Sequence, residues 1–317
     1  MYTKLSHIFK LLIAVLLLSA CTNKPSNPIL KKDNSNHLHI GVMSSMDYLP
    51  LAVAQGQGLF EKEGVVVTIH KFYSANERDA AFQSKSLEGT IIDYTGAAIQ
   101  RAGGVKLKLT SQCESLFVMV GYTPSGISEV SDLVGKKVAV SRNTVVDFCT
   151  DVALETFGIS PDSIERVEIN KIPLRLEMLR SGKIDATLLP DPFASIAYND
   201  QSRNLEYILG MEMNVTGIAF YESVIEKKRE AIQNFYKAYN QAVDYIKAAF
   251  RSSLDHFLVS EIGFPEDLAS NAVLPEYQLA QPPVEDDLKS VEEWLKKKDL
   301  VPSNFDINTC VKVGLTP

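Results

Sequence analysis

HLHIGVMSSMDYLPLAVAQGQGLFEKEGVVVTI, residues 37–69, is the stretch on which the fold turns. Leu38, Ile40 and Val42 alternate through its first seven residues, the period of a β-strand. The polar loop SSMDY follows, and Pro50 stands where a helix can begin, because a first turn leaves its N–H groups unused anyway. Leu51, Ala52, Ala54, Leu59 and Phe60 can then share one helical face. Gly64 ends that pattern, and 65–69 reads as a second strand. Strand, helix and strand in this order predict a βαβ unit and a parallel pairing.

The alternation continues outward. Residues 75–86 read as helix, 90–93 as strand, 96–102 as helix and 106–110 as strand. The apolar strand 116–122 runs into Pro124-Ser125-Gly126, and the alternation starts afresh. Strand 137–141, helix 144–157, strand 164–169, helix 173–180 and strand 186–189 follow, with Gly182 stopping the second helix. A strand over 215–221 returns the chain. Ile232, Phe235, Tyr236, Tyr239, Val243, Ile246 and Phe250 keep helical spacing and mark a long amphipathic helix, and 289–298 is a last helix around Trp294. The expected fold class is therefore α/β with two lobes, each a mostly parallel sheet flanked by helices. Lobe 1 takes 37–122 and 222–317, and lobe 2 takes 123–221. Ligands of open α/β sheets bind at the carboxyl ends of strands, so two such lobes would enclose a cleft that closes over a ligand.

The N-terminus places Lys4 and Lys10 ahead of an apolar run at 11–18, too short to span about 30 Å of hydrocarbon. It reads as a secretory signal over 1–20. Leu18-Ser19-Ala20-Cys21 resembles the lipobox of bacterial lipoproteins, which implies lipid on Cys21 and a membrane anchor. Residues 21–36, polar and with two prolines, are expected to be a flexible tether. The formal charge of −7, with no Lys/Arg cluster, argues against nucleic-acid binding. Cys113, Cys149 and Cys310 are odd in number and widely spaced, so neither a disulfide framework nor a zinc signature is present.

Four segments carry a family likeness: YLPLAVAQGQGLFEKEGVVVTI (48–69), DLVGKKVAVSRNTVVDFCTDVAL (132–154), LRLEMLRSGKIDATLLPDPFAS (174–195) and, more weakly, PPVEDDLKSVEEWLKKKDLV (282–301). In this order they resemble the solute-binding proteins of ABC importers that handle nitrate, sulfonates, taurine and thiamine-pyrimidine precursors. The resemblance implies a two-lobed periplasmic-binding-protein-like fold of the second topological type. It also implies a small-molecule ligand, ABC permease and ATPase partners, a monomer, and neither cofactor nor metal.

Loops at strand ends supply the ligand candidates. Ser44, Ser45, Asp47 and Tyr48 offer hydroxyls, a carboxylate and an aromatic face, although Ser and Asp are also favoured helix caps. Thr95 and Gly96 begin a helix whose N–H groups are free. Ser141, Arg142, Asn143 and Thr144 form the sharpest group, because a helix start carries unpaired donors and a dipole that favour an anion. Arg142 is expected to strengthen that site, and Thr144 with Asp147 resembles a capping box. Asp191 and Phe193 are braced by Pro190 and Pro192; Glu114 and Thr216 lie near the crossings. These cues leave an anion, an amine and a flat ring all open as ligands.

An enzyme that makes the thiamine pyrimidine shares this fold and is the first alternative. It would need a histidine and a CCCFC motif; that motif is absent, and His7, His37, His39, His70 and His256 are scattered. A metal-capturing lipoprotein would need converging ligands that the dispersed histidines do not suggest. A surface lipoprotein that senses a ligand without transport is the third.

Overall fold

The computed structural model describes residues 35–199, 202–209 and 213–316, with only the backbone of 203–209. The secretory signal, Cys21 and the tether up to residue 34 lie outside the described residues.

The first half runs β1 (His37–Met43), α1 (Leu49–Gly56), β2 (Val66–Phe72), α2 (Ala75–Gln83), β3 (Gly89–Asp93), α3 (Tyr94–Ala102) and β4 (Leu107–Cys113). The second runs β5 (Phe117–Tyr122), β6 (Lys137–Val140), α4 (Val145–Thr156), β7 (Glu165–Glu168), α5 (Ile172–Arg180), β8 (Ala186–Pro190), α6 (Phe193–Tyr198) and β9 (Ser202–Leu209). Then β10 (Thr216–Tyr221), α7 (Arg229–Ala248) and α8 (Glu285–Lys297) complete the principal elements. Two five-stranded sheets result, ordered β2-β1-β3-β10-β4 and β7-β6-β8-β5-β9. Each repeats one plan. Three strands pair in parallel, and the fourth position is taken by an antiparallel strand arriving from the other half.

This exchange corrects the expected lobe limits. β5 pairs with β8 and β9, and β10 with β3 and β4. The chain therefore passes between sheets at 114–116 and again between Leu209 and Thr216, earlier each time than 122 and 221. Apolar alternation identifies a strand but not the sheet with which its backbone pairs.

Burial explains the local structure. β1 is buried from Leu38 to Met43 on both faces, as a strand between helical layers must be. α7 turns Ile232, Phe235, Tyr236, Tyr239, Val243 and Ile246 into the first core. There the Phe235 ring stacks on Phe60 at 5.5 Å and meets Phe220 edge-on at 5.9 Å. Phe250 leaves the expected stripe: the backbone turns extended at Ala249, and Phe250 is 87% exposed. Gly217 shows why β10 fits between two neighbours. A Cβ there would stand 2.5 Å from the Ser111 carbonyl oxygen, so any side chain would force the ladder apart.

Three imidazoles form a ladder across β1 and β2. The His37 ring stacks on His39 at 4.4 Å, and His39 Nδ1 lies 3.0 Å from His70 Nε2. A hydrogen bond between two imidazoles needs one of those nitrogens unprotonated. Burial, then the neighbouring His37, lowers the pKa of both His39 and His70; at His39, Glu88 opposes this while His70 and Lys228 add to it. The denatured chain therefore binds more protons between the depressed native values and the ordinary 6.5, so this cluster loses stability as pH falls through that window. We expect His70→Gln to shrink the loss in urea midpoint between pH 7.5 and 5.5. An equal loss in both proteins would remove the ladder as its source.

Candidate ligand-binding cleft

A cavity of about 50 Å³ lies where the carboxyl ends of the parallel strands of the two sheets face each other. Ser45 and Asp47 reach it from the turn after β1, Asp93 from the end of β3, Ser141 and Thr144 from the turn after β6, and Pro190 from the end of β8. The exchanged strands begin here too, through Phe117 and Thr216. α2 contributes Arg78, and α5 contributes Ile172 and Arg175. A space of this size holds a water or two. A larger guest needs the two halves to part.

The charges inside are unevenly paired. Arg78 is buried, with Nη2 2.6 Å from Asp93 Oδ1 and Nε donating to Asp79 Oδ1 at 2.8 Å. Asp93 Oδ2 accepts from Thr95 Oγ1 at 2.7 Å, from the Gly96 N–H at 3.3 Å and from the Val145 N–H at 3.2 Å. Val145 opens α4 in the other half, so the positive end of that helix is directed at a carboxylate of the first sheet. Burial pushes the Asp93 carboxyl up, but the adjoining Arg78 and the Thr95 hydrogen bond outweigh it and hold it below the usual carboxylate range. Asp47 is the opposite case. Burial raises its pKa, and hydrogen bonds from Ser45 and Thr216 only moderate the rise. Arg175 is 1% exposed, and its Nη1 donates to the Ile169 carbonyl at 3.0 Å.

Of the residues expected at the site, Ser45, Asp47, Ser141, Thr144 and Thr216 line this cavity. The others stand elsewhere. Ser44 is buried beside it without lining it. Tyr48 turns the other way, donating to Glu261 Oε2 at 3.0 Å with Lys71 Nζ over its ring. Thr95 and Gly96 act on the ligand surface only through Asp93. Glu114 is buried beside Gln112, which donates to it at 3.2 Å. Arg142 is more than half exposed and pairs with Glu168 at 3.4 Å, so it adds nothing to an anion site in the cavity. Asn143 is exposed in the left-handed region, φ 61°. Asp191 accepts from the Ser195 N–H and hydroxyl, each at 2.9 Å, which ties it to the first turn of α6, while Phe193 enters the core.

The capping box is also displaced. The Thr144 hydroxyl accepts from the Val146 N–H, and Asp147 accepts from Asn143 rather than Thr144. The helix start expected to hold an external anion is therefore already served by Thr144, Asp147 and Asp93.

Arg78, Asp93, Asn170, Ile172 and Arg175 escaped the sequence reading. Arg175 did leave a signal: with Ile172, Leu176 and Leu179 it occupies the buried stripe of α5, where a cation is out of place. The Arg78–Asp93 pair left none, since 15 residues separate partners on different elements. Among the described residues no group of three or more His, Cys, Asp or Glu is placed to hold a metal, and no helix is long and apolar enough to cross a membrane. Cys113, Cys149 and Cys310 are buried free thiols.

Known proteins share this architecture. The alkanesulfonate-binding protein SsuA of Xanthomonas axonopodis pv. citri, solved bound to MOPS, superimposes with a TM-score of 0.76 at 18% identity, over 88% of this chain and 99% of that one. The periplasmic aliphatic sulphonate-binding protein SsuA of Escherichia coli gives 0.73 at 19% identity, over 87% and 97%. The fold is thus that of the periplasmic binding proteins. A Haemophilus influenzae protein named for thiamine biosynthesis is 26% identical over 279 residues, 81% of this chain and 84% of its own. The family model described as NMT1/THI5 like matches residues 45–249, well over half of the chain, and the protein belongs to that family.

Proposed function

We propose that this protein captures a small organic solute of the sulfonate, nitrate or pyrimidine-like class and delivers it to the permease of an ABC importer. Lipid on Cys21 holds it at the extracytoplasmic face of the membrane in this reading. The observation that carries the reading is the cavity, lined by both polar and apolar side chains, between the strand ends of two sheets that two passages of chain connect. Parting the halves opens the pocket, and closing them removes a guest from water, which is the mechanics of a trap. Asp47 offers a carboxyl whose pKa burial raises, while Ser141 and Thr216 offer hydroxyls.

Thermal denaturation of the purified lipoprotein with sulfonates, nitrate, carboxylates, pyrimidines and amines tests this. A true guest present at 100 times its Kd adds about 2.7 kcal/mol to the native state. A panel without any upward shift would defeat the capture reading. Mass spectrometry of the mature N-terminus tests the lipid on Cys21, and an unmodified thiol there would remove the anchor. The second reading, an enzyme forming a thiamine pyrimidine, is favoured by the likeness to the Haemophilus influenzae chain. Turnover by the purified protein would replace capture with catalysis.

A further inference from the structure

We propose that Arg175 is the specificity-determining residue of the cleft and that the captured solute carries one compact oxyanion, of the carboxylate, sulfonate or phosphate-ester class, paired with its guanidinium. The inference rests on the capture reading and narrows its ligand.

Arg175 is among the largest fully buried side chains of the molecule, and it lines the cavity. The Ile169 carbonyl takes one of its donors, while Nε is buried without any partner. Burial alone acts on it, with no neighbouring carboxylate, and brings its pKa down to about 10, so it remains a cation at neutral pH. A guanidinium presents five donors in a planar fork that fits an oxyanion with two parallel bonds. Buried charges are ordinarily paired, because an unpaired one destabilises the fold. Leu or Met would suit the same stripe position without that penalty.

The other anion-seeking groups are already engaged. Arg78 is shared between Asp79 and Asp93. The donors at the start of α4 go to Asp93, Thr144 and Asp147. Among the described residues that line the cavity, Arg175 is left as the cation without a carboxylate. Met43, Phe117, Val145 and Ile172 supply apolar walls around it. The guest that fits is an oxyanion on a short apolar body. A free amine would place a second positive charge beside an uncompensated one.

The test uses the full-length protein in detergent, with methanesulfonate, acetate and methyl phosphate as probes and dimethyl sulfone as the neutral isostere. Calorimetric titration and thermal denaturation are run on wild type, Arg175→Met and Arg175→Lys. At least one oxyanion should bind wild type and dimethyl sulfone should not. Arg175→Met should melt higher than wild type without probe and lose at least about 30-fold in affinity, while Arg175→Lys, keeping the charge but not the fork, should lose about 10-fold. Dimethyl sulfone binding equally well, unchanged affinity in Arg175→Met, or no oxyanion binding wild type would each overturn the proposal. If Arg175→Met does not fold, the probe comparison on wild type and the Lys variant decides. Binding of an amine or pyrimidine in the wider panel without any oxyanion would sink this inference and leave capture standing. Oxyanion binding without permease-dependent uptake would sink only the importer reading.

Discussion

Asp93→Ala should lower stability by about 3–5 kcal/mol, the usual loss when one member of a buried ion pair is removed. Four bonds disappear with that carboxylate, one of them from the Thr95 hydroxyl. Arg78 keeps only Asp79 as a carboxylate partner, α3 loses the cap at the Gly96 N–H, and the link from β3 to the Val145 N–H at the start of α4 is broken. The last joins the two sheets directly across the cleft, so the variant should open more readily as well as unfold more easily. Because the native pKa of Asp93 is depressed, its contribution is complete above the ordinary carboxylate value of 3.8 and is lost as pH falls below it. Urea denaturation at pH 7, followed by the fluorescence of the molecule's one tryptophan, measures the change. A loss below about 1 kcal/mol, the worth of an ordinary hydrogen bond, would show that the pair carries no special weight.

Trp294→Ala should be of similar size, about 3–5 kcal/mol, as for other large aromatic truncations in cores. The indole lies edge-on to Phe148 at 5.6 Å, and its Nε1–H donates to Asp151 Oδ2 at 2.8 Å. Lys298 Nζ sits over the same ring at 4.9 Å and pairs with Asp151 at 2.6 Å. Phe148 and Asp151 belong to α4, in the second half, whereas α8 also packs on α3, in the first. α8 therefore touches both halves, and Trp294 is its tie to the second. Trp294→Phe keeps an aromatic ring and loses the donor, so about 1 kcal/mol is expected from it. Circular dichroism follows both variants, which lack the fluorophore. Equal losses in the two would mean that the hydrogen bond, not the packing, holds the helix.

The legibility of the fold follows from how local its causes are. β1, α1 and β2 were readable because alternation, a proline at the helix start and Gly64 act over a few residues. α7 was readable for the same reason, apart from Phe250, where spacing outlived the helix. Part of the candidate cleft's lining was readable too. Ser45, Asp47, Ser141 and Thr144 follow strands, and topology brings strand ends together. Arg142 misled because a helix start implies an anion site only when its donors are free. Asp93, 52 residues before Val145, had already taken that place.

The sequence by itself determined the βαβ alternation, its restart after residue 122 and the return strand, since periodicity and turn residues are properties of neighbours along the chain. Tertiary structure alone decided that β5 and β10 change sheets, that Arg78 is neutralised and that Arg175 is not. Those outcomes depend on which charges burial brings within hydrogen-bonding distance, and such distances between elements leave no mark in the spacing of residues.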